Sequence, residues 1–288
     1  MHNVSVVNNS SKQINNKEKE MSKNIHLMAI DCQNDFTSTN PQGSLYVQGG
    51  EKDMERLATF INRLSGKLDN ITATLDSHRI VQIFHKAFWK NSNGEHPQPF
   101  TSISVEDVKN GTWTTVNPRW YQRALDYVVA LDSKGAIPLM IWEDHCLIGS
   151  WGHSLYPSVS DALIKWETDN FGFVNYEIKG DSIWTESYGI LESENSNPEE
   201  PSTMLNTRLV ENLQEADELL ICGEALNYCV RATVTQISKS FGSDGAKKFV
   251  LLEDCTSNVP NFESLGENFI KEMTAKGMRV TTSTDYLA

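Results

Sequence analysis

Five short stretches carry side chains that could do chemistry together. Asp31 lies in AIDCQNDF (29–36), Asp76 and His78 in TLDSH (74–78), His145 in WEDHC (142–146), Lys179 in YEIKG (176–180) and Cys229 in GEALNYCV (223–230). Cys229 poses the question. Free cysteines are among the most buried residue types, and most are inert. A thiol becomes a nucleophile when its thiolate is stabilised or a base takes its proton. Val230, Ala232, Val234 and Ile237 follow with helical spacing, which places Cys229 at a helix start. Unpaired backbone N–H groups there carry partial positive charge. They can stabilise a thiolate and hold the oxyanion of a tetrahedral intermediate. Asp31 could supply the base, and Lys179 could hold both anions in place. The competing readings are a packed Cys229, a capping Asp31 and a solvated Lys179, and each would be preferred if that residue stood alone.

A second group suits a metal ion. On an extended chain Asp76 and His78 point the same way, His85 follows, and His145 comes later. A carboxylate with imidazoles suits zinc, iron or manganese, and the mixture does not choose among them. Cys146, beside His145, would point the opposite way on a strand. Cys32, Cys146, Cys222 and Cys255 read as packing thiols, and His96 and His153 as structural or surface residues.

These residues need a scaffold. Apolar runs at 25–29, 71–75, 137–142, 174–178, 219–222, 249–252 and 278–282 read as strands. Segments 51–66, 118–133 and 264–276 have helical spacing. Such alternation predicts an α/β three-layer sandwich, with a mainly parallel central sheet of about six strands and helices on both faces. Sites in such sheets form at the carboxyl ends of strands. Asp31, Asp76 with His78, His145, Lys179 and Cys229 each stand at the end of one of these runs.

Composition narrows the function. The chain has 288 residues and a formal net charge of −13, which disfavours a nucleic-acid partner, since phosphate binding needs clustered Lys and Arg. No apolar run approaches the ~18 residues of a membrane span. Five scattered cysteines, an odd number, suggest free thiols in a reducing, cytoplasmic setting. Residues 1–24, rich in Asn, Ser and Lys, read as a disordered tail that cannot bury enough apolar surface to order. Residues 25–288 read as a single domain.

In this order, the five stretches resemble the isochorismatase-like cysteine hydrolases, and within them the nicotinamidases (pyrazinamidases), over roughly residues 25–285. The pair TLDSH and DHC favours the latter branch, because isochorismatases and carbamoyl-sarcosine amidohydrolases generally lack that metal site. The resemblance implies a catalytic triad of Asp31, Lys179 and Cys229. It implies a cis peptide between Glu224 and Ala225, with the N–H groups of Ala225 and Cys229 as the oxyanion hole. It implies one divalent metal ion (Zn, Fe or Mn) on Asp76, His78 and His145. His85 falls near a further histidine ligand of some members, about one residue off in spacing. Phe36 and Trp142 match aromatic walls of the substrate pocket, and Tyr228 borders it where a histidine is more usual.

The implied activity is hydrolysis of nicotinamide to nicotinate and ammonia through a cysteine thioester, a step of NAD salvage and pyridine nucleotide biosynthesis. The alternatives are a hydrolase of the same superfamily acting on another small amide or carbamoyl substrate, and a non-catalytic binding protein of this fold. The expected partner is a small-molecule amide, and a homo-oligomer is left open. The chain departs from the familiar pattern in Glu143-Asp144 before His145, in Glu224 and Leu226-Asn227, and in an insertion at about 86–135. Trp89, Phe100, Trp113 and Trp120 would pack that insertion on the core, or form a lid or an oligomer contact.

Overall fold

The computed structural model describes residues 23–288. The expected disordered tail, apart from its last two residues, lies outside them. Six strands form one parallel sheet: β1 (Ile25–Ile30), β2 (Asn70–Asp76), β3 (Asn175–Lys179), β4 (Glu218–Gly223), β5 (Phe249–Leu252) and β6 (Arg279–Thr281). Their order is β6-β5-β4-β1-β2-β3. The register pairs Ala29 with Ala73 and with Cys222, so β1, β2 and β4 end at about the same level.

Strands β1 and β4 are buried at every residue, as expected where helices cover both faces of a parallel sheet. Alternate residues serve opposite faces. Leu27 and Ala29 of β1 and Leu220 of β4 pack with helices α1 (Gly50–Leu64) and α3 (Pro157–Asn170), through Met54, Leu57, Ile61, Leu163 and Trp166. Met28 and Ile30, with Leu219 and Ile221, pack with α4 (Thr207–Gln214), α5 (Arg231–Phe241) and α6 (Glu263–Ala275). The chain leaves β1 in one direction towards β2 and β3, then returns to β4 on its other side. The β1–β4 boundary is therefore the topological switch point, where such sheets form their sites.

Residues 86–140 carry α2 (Tyr121–Ser133) and two short antiparallel ladders, Trp89–Lys90 with Thr114–Thr115 and Ser102–Ile103 with Leu139–Met140. Trp89, Ile103, Val108, Ala124 and Tyr127 are buried in the same apolar cluster as β1 and β4, with Trp113 and Trp120 packed against it. Phe100 is half exposed and sets its ring edge-on to Trp142, 5.7 Å between centroids.

The run at 137–142 corrects the strand reading. It is not a strand of the central sheet: only Leu139 and Met140 are extended in a ladder, and they pair with Ser102–Ile103. The sheet has its six strands without it, and His145 rides on a loop rather than at a strand end.

Candidate active site

Asp31 follows β1 with a left-handed backbone (φ 48°) and is fully buried. Its N–H donates to Thr74 Oγ1 (3.0 Å), and the same hydroxyl donates to Asp31 Oδ1 (2.5 Å). Thr74, on β2, so fixes both the turn and the carboxylate. Gln33 clamps the same strand ends: its amide nitrogen donates to Asp76 O (2.8 Å), and its amide oxygen accepts from Asp76 N (2.7 Å).

Lys179 ends β3 and points inward. Its ammonium stands 2.9 Å from Asp31 Oδ2, 2.9 Å from Asp76 Oδ1 and 3.6 Å from Cys229 Sγ. Burial favours a neutral amine, but Asp31 and Asp76 outweigh it and hold Lys179 well above the usual lysine range. Burial pushes the Asp31 carboxyl up, more than Lys179 pulls it down, and neighbouring Asp76 adds to the rise. Asp76 ends the other way: burial pushes it up, but His78 and Lys179 hold it well below the carboxylate range. Burial likewise pushes the Cys229 thiol well up, with Lys179 opposing. The resting site is therefore a thiol beside a carboxylate of raised basicity, a pair arranged for proton transfer.

Cys229 sits in a π-helical turn, Leu226–Val230, that opens α5. Such turns recur at functional sites. The Glu224–Ala225 peptide is cis. The N–H of Glu224 donates to Ile30 O and that of Leu226 to Ser257 O, both 2.8 Å. The N–H groups flanking Ala225 are thus committed to the scaffold, and Ala225 itself lines the pocket.

Three histidines gather on the other side of Asp76. Ring centroids lie 4.7 Å apart for His78 and His145, 5.5 Å for His78 and His85, and 5.7 Å for His85 and His145. Each uses Nδ1 on a backbone carbonyl: His78 on Gly180 (3.0 Å), His85 on Arg79 (2.9 Å), His145 on Glu143 (2.7 Å). A carbonyl only accepts, so Nδ1 carries a proton and Nε2 is left facing the cluster, the arrangement that metal-ligating histidines adopt. His78 Nε2 lies 3.0 Å from Asp76 Oδ2, and His145 Nε2 lies 3.6 Å from it. The Nε2 atoms of His78 and His85 are buried without a hydrogen-bond partner.

Against its burial, Asp76 raises the pKa of His78, and a bound cation would take the place of the second proton on that ring. The donor set of Asp76, His78 and His145, with ligand atoms within 4.8 Å of one another, fits a divalent metal ion. His85 faces the same rings but stands outside that group. Burial, with His145 and His78 beside it, lowers its pKa to about 3, so its Nε2 is free to donate a lone pair.

Supporting residues explain the placement. Gly180 follows Lys179 with φ 80°, and a Cβ there would stand 2.6 Å from His78 Cε1 and 2.7 Å from Asp76 Oδ1. Only glycine lets the chain turn this close to the cluster. The loop bearing His145 is tied down by Asp35, which accepts the Cys146 N–H (2.6 Å) and the Ser44 N–H (3.1 Å). Cys146 takes the left-handed region (φ 46°) and is buried away from the histidines, as a packing thiol. His153 is held by Ser77 Oγ at 2.8 Å.

A pocket lined by Asp76 and His145 on one hand and by Ala225 and Cys229 on the other joins the two groups. Phe36, Trp142, Tyr188 and Tyr228 form its aromatic walls. Trp142 Nε1–H donates to Tyr188 Oη (3.3 Å), and the ring of Tyr228 stands edge-on to Trp142 at 5.2 Å. Glu186, buried and pushed up by burial, adds a carboxyl to the wall. Sequence reasoning missed Glu186 and Tyr188, and also Leu45, Val47 and Val259 of the same lining. All lie in irregular segments where no periodicity marks an inward face.

The comparisons with known proteins bear on this arrangement. No family model matches the chain. The nicotinamidase of Saccharomyces cerevisiae is 25% identical over 227 residues, covering 79% of this chain and 85% of that protein. Its solved structure superposes with a TM-score of 0.62 at 21% identity, over 89% of this chain and 99% of that one. A nicotinamidase/pyrazinamidase from Acinetobacter baumanii gives 0.59 at 22% identity, over 92% and 99%. The pyrazinamidase of Pyrococcus horikoshii, solved in complex with zinc, gives 0.51 at 18%, over 90% and 98%. The chain has the isochorismatase-like fold of the nicotinamidases. No helix among the described residues is long and apolar enough to cross a membrane.

Proposed function

We propose that the protein is a metal-dependent amidohydrolase that converts nicotinamide to nicotinate and ammonia through a thioester on Cys229. The single observation that carries this reading is the placement of Lys179. One ammonium touches the base Asp31, the metal-side Asp76 and the sulfur of Cys229. A buried thiol with a carboxylate and a fixed cation is an activated nucleophile. The flat aromatic pocket between it and the histidines suits a pyridine ring bearing a carboxamide.

In this reading Asp31 takes the thiol proton as Cys229 Sγ attacks the amide carbon. Lys179 steadies the carboxylate and the forming thiolate. The N–H groups of Ala225 and Cys229 receive the oxyanion. Asp31 then returns the proton to the leaving nitrogen, ammonia departs, and the thioester remains. Asp31 next takes a proton from water as its oxygen attacks the thioester carbon, and the released sulfur recovers a proton. Phe36, Trp142, Tyr188 and Tyr228 hold the ring and exclude bulk water. Asp76, His78 and His145 would hold the metal ion, with His85 beside them. Once bound, the ion supplies a Lewis-acid anchor for the ring nitrogen, directly or through water, an orienting role. The zinc of the Pyrococcus relative makes zinc the first candidate. The nicotinaldehyde and nicotinate bound in two related structures support a small pyridine ligand. The physiological role would be NAD salvage in the cytoplasm.

Ammonia release from nicotinamide, pyrazinamide and a panel of small aliphatic amides, with and without chelator, tests the proposal. Turnover of nicotinamide that falls on chelation is expected. Turnover of aliphatic amides alone, unaffected by chelator, would replace it with a metal-independent amidase.

A further inference from the structure

Glu224 departs from what a parallel strand end requires. It is a fully buried carboxyl residue directly before Ala225, at the mouth of the nucleophile turn. Its Oε2 accepts the Ser257 N–H (3.1 Å), while its Oε1 is buried with no donor directed at it. Asp53, 4% exposed on the first turn of α1, is tied to the same residue: Ser257 gives its N–H to Glu224 Oε2 and its hydroxyl to Asp53 Oδ2. Asp53 Oδ1 accepts from Arg56 (2.9 Å) and Oδ2 from Ser257 Oγ (2.5 Å). The backbone of α1 closes over the group: a Cβ at Gly50 would stand 3.4 Å from Glu224 Oε1 and 3.1 Å from Phe36 O.

The charges facing this carboxyl are unfavourable to a second anion. Helix α1 presents Asp53 and Arg56, the segment after β5 presents Asp254, and the surrounding thiols are Cys32, Cys222 and Cys255. Arg56 is spent on Asp53 and on the Asp254 carbonyl (3.0 Å). Two buried carboxyls gathered on one serine cannot both ionise cheaply,. Arg56 keeps the negative charge on Asp53, so the proton belongs on Glu224, where it also satisfies the orphan oxygen.

We propose that Glu224 is a positioning residue: its carboxyl stays protonated at neutral pH, donates a hydrogen bond to Asp53, and locks the turn carrying Ala225 and Cys229 onto helix α1. The inference rests on the reading of that turn as the active-site wall. Burial, followed by the charge of Asp53, pushes Glu224 well above the usual carboxyl range, in agreement with the geometry.

A carboxyl whose pKa is raised on folding gives its full contribution to stability below the unfolded value of about 4.5 and loses it as pH rises towards the folded value. The test compares chemical denaturation of the full chain and its Glu224→Gln and Glu224→Ala variants from pH 5 to 9, together with nicotinamide turnover. Relative to Glu224→Gln, the wild-type folding constant should fall by about tenfold per pH unit above the unfolded value, until the folded pKa is reached. Glu224→Gln should keep turnover, because its amide donates to Asp53 and accepts from Ser257, whereas Glu224→Ala should lose most of kcat. Parallel stability curves for wild type and Glu224→Gln, or equal loss of turnover in both variants, would overturn the proposal. If Glu224→Gln does not fold, Asp53→Asn decides: donation from the introduced side-chain amide should flatten the wild-type slope, and an unchanged slope rejects the shared proton. A wild type without nicotinamide turnover would fail the functional reading, while the denaturation curves would still decide the proton.

Discussion

The ammonium of Lys179 lies 2.9 Å from Asp76 Oδ1, so the histidine cluster and Cys229 share one buried charge network. Asp31 and Cys229 complete it at 2.9 and 3.6 Å from the same nitrogen. A ligand held on the Asp76 side is thereby registered against the sulfur. The two halves of the site cannot drift independently, because a single cation spans them.

That arrangement predicts an unusual stability cost. Lys179→Met leaves Asp31 and Asp76 buried without their shared cation. Removing one partner of a buried ion pair typically costs about 3–5 kcal/mol, and urea denaturation near neutral pH should show a loss of this order. A change below about 1 kcal/mol would mean the two carboxylates had no need of the lysine.

The proposed mechanism gives Asp31 and Cys229 separate signatures. Cys229→Ala should release no ammonia from nicotinamide, since no other side chain can form the thioester. Asp31→Asn should lower turnover by about 10²–10⁴-fold, the usual worth of a positioned base, while leaving the sulfur in place. Incubation with substrate followed by mass measurement should show an acyl adduct on wild type and none on Cys229→Ala. Undiminished turnover in either variant would remove that residue from the mechanism.

The pH profile follows from two carboxylates shifted in opposite directions. Asp31 must be ionised to act as base, and burial raises its pKa above the ordinary 3.8. The acid limb of kcat/KM should therefore lie above that value. Asp76 is held well below 3.8 despite burial, by His78 and Lys179. Its contribution to stability is present above the unfolded pKa and is lost only as pH falls through the folded one. A window should exist in which the protein is folded but inactive on acidification. Circular dichroism and initial rates measured together should reveal it, and coincident loss of both would argue against the assignment.

Glu194 gives a second, independent titration. Burial, then the charge of Glu186, raises its pKa to about 7. Stability due to its protonated form should be full below about 4.5 and disappear as pH rises through about 7,. Glu194→Gln should therefore gain stability over wild type between pH 5 and 8, by roughly 3 kcal/mol at most. No pH dependence in the difference would place the carboxyl in solvent.

The readable part of this molecule is the part with strong periodicity or rigid local constraints. The fully buried β1 and β4 betray themselves as unbroken apolar runs, and Asp31, Asp76, Lys179 and Cys229 stand where those chains leave the sheet. The run at 137–142 looks equally apolar, yet its burial comes from packing beneath the insertion and not from sheet pairing. Helix α3 is absent from the sequence reading, although Pro157 opens it and Val159, Ala162, Leu163 and Trp166 keep helical spacing. Helix α4 carries a usable signal in its Asn206 cap, which accepts from Leu209 N. Glu186 and Tyr188 were out of reach, since a residue in irregular chain is aimed by contacts distant in sequence. The tie between Asp35 and the Cys146 N–H is of the same kind.

The histidine cluster yields a prediction with a readout independent of activity. Each Nδ1 is engaged by a carbonyl, so the free Nε2 atoms of His78 and His145 and the carboxylate of Asp76 converge as donors. Purified protein should contain about one equivalent of a divalent transition metal ion, the expected load of a single such site. His78→Ala and His145→Ala should lose it on dialysis. His85 stands one ring further out, and its Nε2 is buried without a partner. His85→Ala should retain the ion but bind it more weakly, by about 10–100-fold, as when a supporting residue of a metal site is removed. Elemental analysis after dialysis against a graded chelator series would distinguish the three. Equal metal retention in all three variants would show that the cluster is not the site, and complete loss in His85→Ala would promote His85 to a direct ligand.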